Sequence, residues 1–403
     1  MGTGLLGRWL VPRAWLALAG LLAGVVVLAL PSTGAAAAPA AGRFPIPAVS
    51  GDQVGWQVAI SGTTAVIGAP GANGGRGAVY VFVRSGNSWQ HQATLVDSRQ
   101  RANAAFGAAV AVSSTRSGTF VLVGAPGQGL PEKAYVFARS GTRWFQQAAL
   151  AGPSGSVYDD NDAFGTTVAL SGNTALVSII QGETDLSGGI YVFARSGKTW
   201  SRQAMLTDPN GPSEINFGSS IAVSGASIVV GASDRGCAFV FARSGQKWTV
   251  QATLVQTGEA ACPAEASNSF GSSVAISGST VIVGDNDGSG VAVVFTRSGT
   301  TWARQAELTD PDRAGLAGFG TSAALSGATA LVGAPFQAST RCGTAYEYTR
   351  SGATWRERAS LVNPGCSGND EFGLSVAESG STALTGAPGL NKGAGAAYWQ
   401  TLP

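Results

Sequence analysis

The sequence predicts an all-β fold, a seven-bladed β-propeller of four-stranded antiparallel blades, and three observations carry that prediction. One segment recurs seven times: VGWQVAIS at Val54, FGAAVAVS at Phe106, FGTTVALS at Phe164, FGSSIAVS at Phe217, FGSSVAIS at Phe270, FGTSAALS at Phe319 and FGLSVAES at Phe372. The glycines these copies share, Gly55, Gly107, Gly165, Gly218, Gly271, Gly320 and Gly373, lie 49 to 58 residues apart. A period of about 50 residues built from short strands is the spacing of a propeller blade. Each copy also consists of short runs rich in Val, Ile, Phe, Tyr and Thr between Gly, Ser, Asn and Pro, without the 3.6-residue periodicity that a helical repeat needs.

In the first copy the four strands are expected at residues 56–61, 64–68, 78–84 and 89–96. The first two are joined by little more than Ser-Gly, as at Ser61-Gly62, Ser171-Gly172, Ser224-Gly225, Ser277-Gly278, Ser326-Gly327 and Ser379-Gly380. The second copy, with SSTRSG at residues 113–118, is expected to make a longer turn. The third and fourth strands are joined by Arg-Ser-Gly-x-x-Trp, pairing Arg84 with Trp89, Arg139 with Trp144, Arg195 with Trp200, Arg243 with Trp248, Arg297 with Trp302 and Arg350 with Trp355. Gly at the first central position suits a type II′ turn, which puts Arg opposite Trp on one sheet face. Such Arg-on-Trp contacts contribute ~0.5 to 1 kcal/mol each, so the motif reads as blade packing. The seventh copy stops after its third strand, GAAYWQTLP, and the segment 43–50, RFPIPAVS, is expected to pair there as its fourth strand and close the ring. Its prolines are tolerable on an outermost edge.

The paired signatures FG and GAP, the latter at residues 68–70, 124–126, 333–335 and 386–388, resemble the FG-GAP repeat. That repeat builds the integrin alpha-chain propeller and many bacterial exported proteins, so the resemblance implies an extracellular binding or adhesion propeller. Three copies depart at the second motif, with SII at Ser178, GAS at Gly231 and GDN at Gly284, and the first copy has Val54 in place of Phe. Some integrin repeats carry a calcium loop, Asp-x-Asp-x-Asp-Gly, between the first two strands. Here a Ser-Gly turn stands there, too short to wrap six to eight oxygens around an ion, so no calcium residue carries over. DNDG at residues 285–288 falls in the next loop, and Asp285 and Asp287 are the metal candidates that remain, set against a plain polar turn.

Other chemistries find little purchase. Gly197-Lys198-Thr199 looks like the end of a phosphate-binding loop, but Val192 stands where the first glycine is required and a strand follows in place of a helix. The same hairpin matches the second half of the sialidase Asp box, yet Arg195, Arg297 and Arg350 occupy its Asp position. The only histidine, His91, sits in mid-strand, which argues against nucleophilic triads and zinc. Paired carboxylates are the remaining catalytic option, in YDDND at 158–162 and DPDR at 310–313.

In an up-and-down blade the first and third turns share one end, so the tight hairpins form a smooth face. The connections 153–162, 178–189, 256–268, 336–343 and 364–370 share the other. Loops on a rigid scaffold usually carry binding, which makes Tyr158, Asp159, Asp160, Asp162, Glu183, Asp185, Asp234, Arg235, Asp310, Asp312, Phe336 and Arg341 the candidate residues. Only the pairings Cys237 with Cys262 and Cys342 with Cys366 stay within one blade, and each closes a loop worth ~3 kcal/mol. Residues 1–38, with Arg8, Arg13 and an apolar run from Ala14 to Leu30, read as a signal peptide, leaving a propeller over 43–403. The cleaved chain has 23 basic and 23 acidic residues, so no overall basic field attracts nucleic acid. The expectation is a secreted, monomeric, non-catalytic module without cofactor or stable membrane insertion, binding a protein or glycan. The alternatives are a carbohydrate-active or ester-cleaving enzyme and a calcium-dependent adhesion module.

Overall fold

In the computed structural model, seven four-stranded antiparallel sheets follow one another around a ring. The structure describes residues 40–99, 101–127, 133–152, 163–180, 188–211, 216–256, 262, 268–312, 317–336 and 342–402. The expected signal peptide and the candidates Tyr158, Asp159, Asp160, Asp162, Glu183, Asp185 and Arg341 lie outside them. Blade 1 consists of Val58–Ser61, Thr64–Ala69, Ala78–Ser85 and Ser88–Leu95, in that order from the axis outward. The inner strands of the other blades are Ala109–Thr115, Ala163–Ser171, Phe217–Ser224, Ser273–Ser277, Ser322–Ser326 and Val376–Ser379. The second strand of blade 1 is buried at every position, which is why it reads TAVIGA, a continuous apolar run without alternation.

Blade 7 has three strands of its own, Val376–Ser379, Thr382–Ala387 and Ala396–Thr401. Ala41–Arg43 pairs antiparallel with the last of them, Ala41 opposite Gln400 and Arg43 opposite Tyr398. The pairing thus falls on 41–43 and shares only Arg43 with the expected 43–50. Pro45 and Pro47 have no amide hydrogen to donate to a ladder. After Phe44, whose amide donates to the Ala397 carbonyl at 3.0 Å, the chain leaves the sheet. Phe44 and Ile46 then enter the core of blade 1, with the Phe44 ring 4.8 Å from Phe82 and 5.6 Å from Trp89. An aromatic from outside the repeat thereby packs into the copy that has Val54 in place of Phe.

The FG and GAP glycines meet within each blade and also across the seam to the next. In most blades the amide of the first motif's glycine donates to the carbonyl of the second motif's glycine, as Gly320 does to Gly333 at 3.0 Å. The second glycine also lies against the next blade: a Cβ on Gly284 would sit 2.1 Å from the Gly320 carbonyl oxygen, so no larger residue fits without moving backbone. In blade 3, where Ser178 replaces this glycine, its hydroxyl accepts the Thr167 amide at 2.9 Å.

On the smooth face each Ser-Gly turn is a clasp. Ser277 Oγ accepts the amide of Gly327 at 3.1 Å, Ser326 that of Gly380 at 3.0 Å, and Ser379 that of Gly62 at 3.0 Å, each in the next blade. The turn glycines sit at φ near +58°, as at Gly62 and Gly172, which explains their residue type. The second copy does not make a longer turn. Its two strands add the pairs Ser114–Thr119 and Thr115–Gly118 and leave Arg116-Ser117 as a two-residue tip.

The Arg-Ser-Gly-x-x-Trp hairpins have the expected register, with Arg84 opposite Trp89 and Arg297 opposite Trp302. Three make the expected stack: Arg243, Arg297 and Arg350 lie 5.8, 5.5 and 5.7 Å from the centres of Trp248, Trp302 and Trp355. Arg195 lies instead over Phe120 of the preceding blade, at 4.1 Å. The motif's larger role is between blades. Arg84 donates to Thr382 Oγ1 at 2.7 Å, Arg297 to Ser227 Oγ at 3.2 Å and Arg350 to Thr280 Oγ1 at 3.1 Å, each one blade back.

The indole nitrogens of Trp144, Trp200, Trp302 and Trp355 donate to Gln92, Gln147, Gln251 and Gln305 of the preceding outer strand at 2.8 to 2.9 Å. Each glutamine is the unpaired residue of a β-bulge, for example between the pairs Val240–Ala252 and Phe241–Val250, and the bulge aims it at the neighbouring blade. Trp89 follows blade 7, which has no such glutamine, and its buried Nε1 has no hydrogen-bond partner among the described residues. Gln251→Ala is therefore expected to cost ~1 to 3 kcal/mol, the penalty of leaving the Trp302 N–H unsatisfied. An unchanged urea midpoint would show that the clasp contributes nothing.

Candidate binding face and axial channel

At the opposite end the chain passes from each outer strand to the next blade, and several of these passages begin with the same device. Leu-x-Asp or Leu-x-Asn recurs as Asp97, Asp208, Asp310 and Asn363, all buried. Their Oδ1 atoms accept the amides of Arg99, Asn210, Asp312 and Gly365 at 3.0, 2.7, 2.9 and 2.9 Å, which closes an Asx turn. The second carboxylate oxygen then binds a loop. Asp97 pairs with Arg101 at 3.0 Å, and Arg101 also donates to the Tyr135 hydroxyl at 2.8 Å. Burial pushes the Asp97 carboxyl up, but the Arg99 amide, Arg101 and Tyr135 outweigh it and hold the group below the usual range. Asp208 pairs with Arg235 at 3.1 Å.

Of the candidates read from sequence, Arg235 and Asp310 therefore brace the scaffold, because both are buried. Asp234, Asp312 and Phe336 face solvent. Asp234 accepts from the Asn216 amide at 3.0 Å, Asp312 accepts from the Tyr346 hydroxyl at 2.9 Å, and Phe336 is 52% exposed. The disulfides join Cys237 with Cys262 and Cys342 with Cys366, each with a Cα separation of 5.6 Å. Asp285 is buried, and its Oδ1 accepts the amides of Ser269 and Asp287, both at 3.1 Å. Burial lifts its carboxyl above the usual range. Asp287 is exposed and accepts the Gly288 amide at 2.8 Å. Among the described residues the one trio of potential metal ligands is Cys342, Cys366 and Asp370, and both of its sulfurs are in a disulfide.

The axial channel opens on this face into a cavity of about 180 Å³ lined by serine and threonine. Most of these hydroxyls hold blades together. Thr167, Ser220, Ser273 and Ser322 donate to the carbonyls of Gly218, Gly271, Gly320 and Gly373 in the next blade at 2.7 to 2.8 Å. No described carboxylate lines this mouth. His91 is exposed on an outer strand and bonds Thr94 at 3.0 Å.

Two acids that sequence reading passed over lie between blades 6 and 7. Glu378 stands in VAES where the other copies carry Ile, Val or Leu, and Glu347 stands in YEY where five copies carry Val. The aligned copies held that signal. Glu378 lines the channel toward its smooth-face end, next to the Ser379-Gly380 turn, and Glu347 is fully buried. Thr329 contacts Glu378 Oε1 while its hydroxyl donates to the Ser326 carbonyl at 2.8 Å. Burial, reinforced by the Glu347 charge and opposed by Thr329, pushes the Glu378 carboxyl up to about 8. Burial likewise raises Glu347, against the pull of Arg358 at 3.7 Å.

Among curated proteins none matches this sequence. The fold resembles a protein from Lactobacillus plantarum, with TM-score 0.50 and 13% identity over 76% of this chain and 84% of that one. It also resembles a chain in the mitotic checkpoint complex, with TM-score 0.56 and 14% identity over 95% of this chain and all of that one. At these identities the likeness shows the fold alone. The family model of the FG-GAP repeat matches residues 47–82, 144–193, 200–241, 302–348 and 355–399. Four of the five matches begin at or beside the tryptophan of an outer strand and run to the third strand of the next blade, so the unit of sequence spans two blades. With those matches covering over half of its length, the chain belongs to the FG-GAP repeat family.

Proposed function

We propose that this protein is a secreted, non-catalytic binding module that holds a protein or glycan partner on its loop face. The observation that carries this reading is the bracing of that face: two disulfides, the Asp97–Arg101 and Asp208–Arg235 pairs and four Asx turns hold loops from which Asp234, Asp312 and Phe336 project. Preorganised loops spend little binding energy on ordering themselves. Secretion is supported by the disulfides, which persist in oxidising compartments, and by the composition of residues 1–38.

The test is a glycan array and envelope-protein crosslinking, run with the exported chain and with a variant carrying Asp234→Ala, Asp312→Ala and Phe336→Ala. Loss of a central contact of ~2 kcal/mol lowers retention about 30-fold. That loss, with unchanged folding and unchanged binding in chelator, supports the reading. Equal retention by the variant places the site elsewhere.

A further inference from the structure

The smooth face carries a concentration of positive charge that no acidic residue of its turns balances. Its hairpin tips hold ten basic side chains: the six arginines of the Arg-Ser-Gly hairpins and Arg116, Arg143, Lys198 and Lys247. No Asp or Glu stands within any of these turns. None of the ten is in an ion pair among the described residues. The hairpin arginines donate to neutral oxygens, such as the carbonyls of Gly86, Gly141 and Gly245 at 3.1, 2.8 and 2.9 Å. Those bonds orient the guanidinium groups and leave their charge uncompensated. Of the exposed acids among the described residues, Asp234, Asp287 and Asp312 lie at the other end, and Glu357 lies on an outer strand two residues beyond Trp355. The described surface charge is thus polarised along the ring axis, and fields of this kind steer association.

We propose that the smooth face docks on an anionic phospholipid surface and so holds the protein at a membrane with its loop face turned outward. The shape of the face selects this partner over a linear polyanion. Every tip is a two-residue turn with glycine at or next to its centre, so no loop rises to form a groove that could track a strand. Among the described residues the single projection is the blade 2 hairpin, longer by two residue pairs and tipped by exposed Arg116. A flat plane of positive charge matches a flat plane of headgroups. The exposed Arg143, Lys198 and Lys247 stand at the same level, outside the blade-to-blade clasps. No helix of the described chain is long and apolar enough to cross a membrane, and the docking invoked here needs none.

Each basic side chain near an anionic bilayer contributes ~1 kcal/mol, about fivefold in partition, and the attraction is screened by salt. The experiment is co-sedimentation of the exported chain with phosphatidylcholine vesicles containing or lacking phosphatidylglycerol, at low and high ionic strength. The expected result is retention by the anionic vesicles alone, lost at high salt. Lys198→Ala and Lys247→Ala should each weaken it about fivefold. A variant combining Arg116→Glu, Arg143→Glu, Lys198→Glu and Lys247→Glu should abolish it with an unchanged unfolding midpoint. Asp234→Ala on the opposite face should leave it unaltered. Equal binding to neutral vesicles, insensitivity to the charge reversals, or capture by soluble polyphosphate without capture by vesicles would each overturn the proposal. The loop-face variants of the preceding test do not touch this surface, so the two readings fail independently.

Discussion

Replacing Glu378 with isoleucine is expected to stabilise the protein by roughly 4 to 5 kcal/mol in alkaline solution, with little change in acid. The carboxyl ionises at about 8 in the folded protein and near the ordinary 4.5 once unfolded. Between those values the folded state holds a proton that the unfolded chain has released, so stability falls as pH rises through the window and is level on either side of it. A tenfold difference in proton affinity is worth about 1.4 kcal/mol, which sets the size of the effect. The groups facing Glu378 are Glu347, which adds repulsion, and Thr329, which partly relieves it; Arg358 lies against Glu347. Urea unfolding of wild type, Glu378→Ile and Glu378→Gln across this range measures the slope. Parallel curves for wild type and Glu378→Gln would show that this carboxyl does not govern the pH dependence.

Phe44→Ala is expected to cost about 3 to 5 kcal/mol, the range for truncating a buried phenylalanine. Phe44 is 1% exposed and packs among residues of blades 7 and 1, where Val54 is small and Trp89 finds no glutamine among the described residues. Removing residues 40–46 should cost more, because the third strand of blade 7 then loses its edge partner and becomes a bare sheet edge. Denaturant unfolding followed by tryptophan fluorescence reads both changes. A midpoint unmoved by the deletion would mean that this segment takes no part in holding the ring.

The blades and hairpins were legible because their chemistry is local. A two-residue turn that needs positive φ selects glycine at Gly62 or Gly197, and a strand buried on both faces selects an apolar run. These constraints recur in every copy and can be counted along the chain. The N-terminal segment was legible only in part: the edge strand was expected, but prolines shift its pairing to 41–43 and turn Phe44 inward.

The candidate site was less legible. Asp285 was read as a metal candidate set against a polar turn and Asp310 as a loop-face candidate, yet both are buried and employed in turns, as are Asp97 and Asp208, because a short polar side chain that satisfies nearby amides can enter the interior. The Trp-x-x-Gln-Ala pattern stood in the sequence from Trp89 to Trp302, and its replacement by Arg358 falls before the one blade that has no tryptophan at that place. Nothing within one copy says that Gln251 serves Trp302.

From its own order of residues this chain determined the number of blades, the strands within them, the tight turns of one face and the cysteine pairs. Tertiary structure alone decided the partners across the seams: Arg350 with Thr280, Trp302 with Gln251, and Glu378 with Thr329 and Glu347. Those residues stand far apart along the chain, and they meet because of the angle and height at which one sheet packs on the next, a property that no single copy contains.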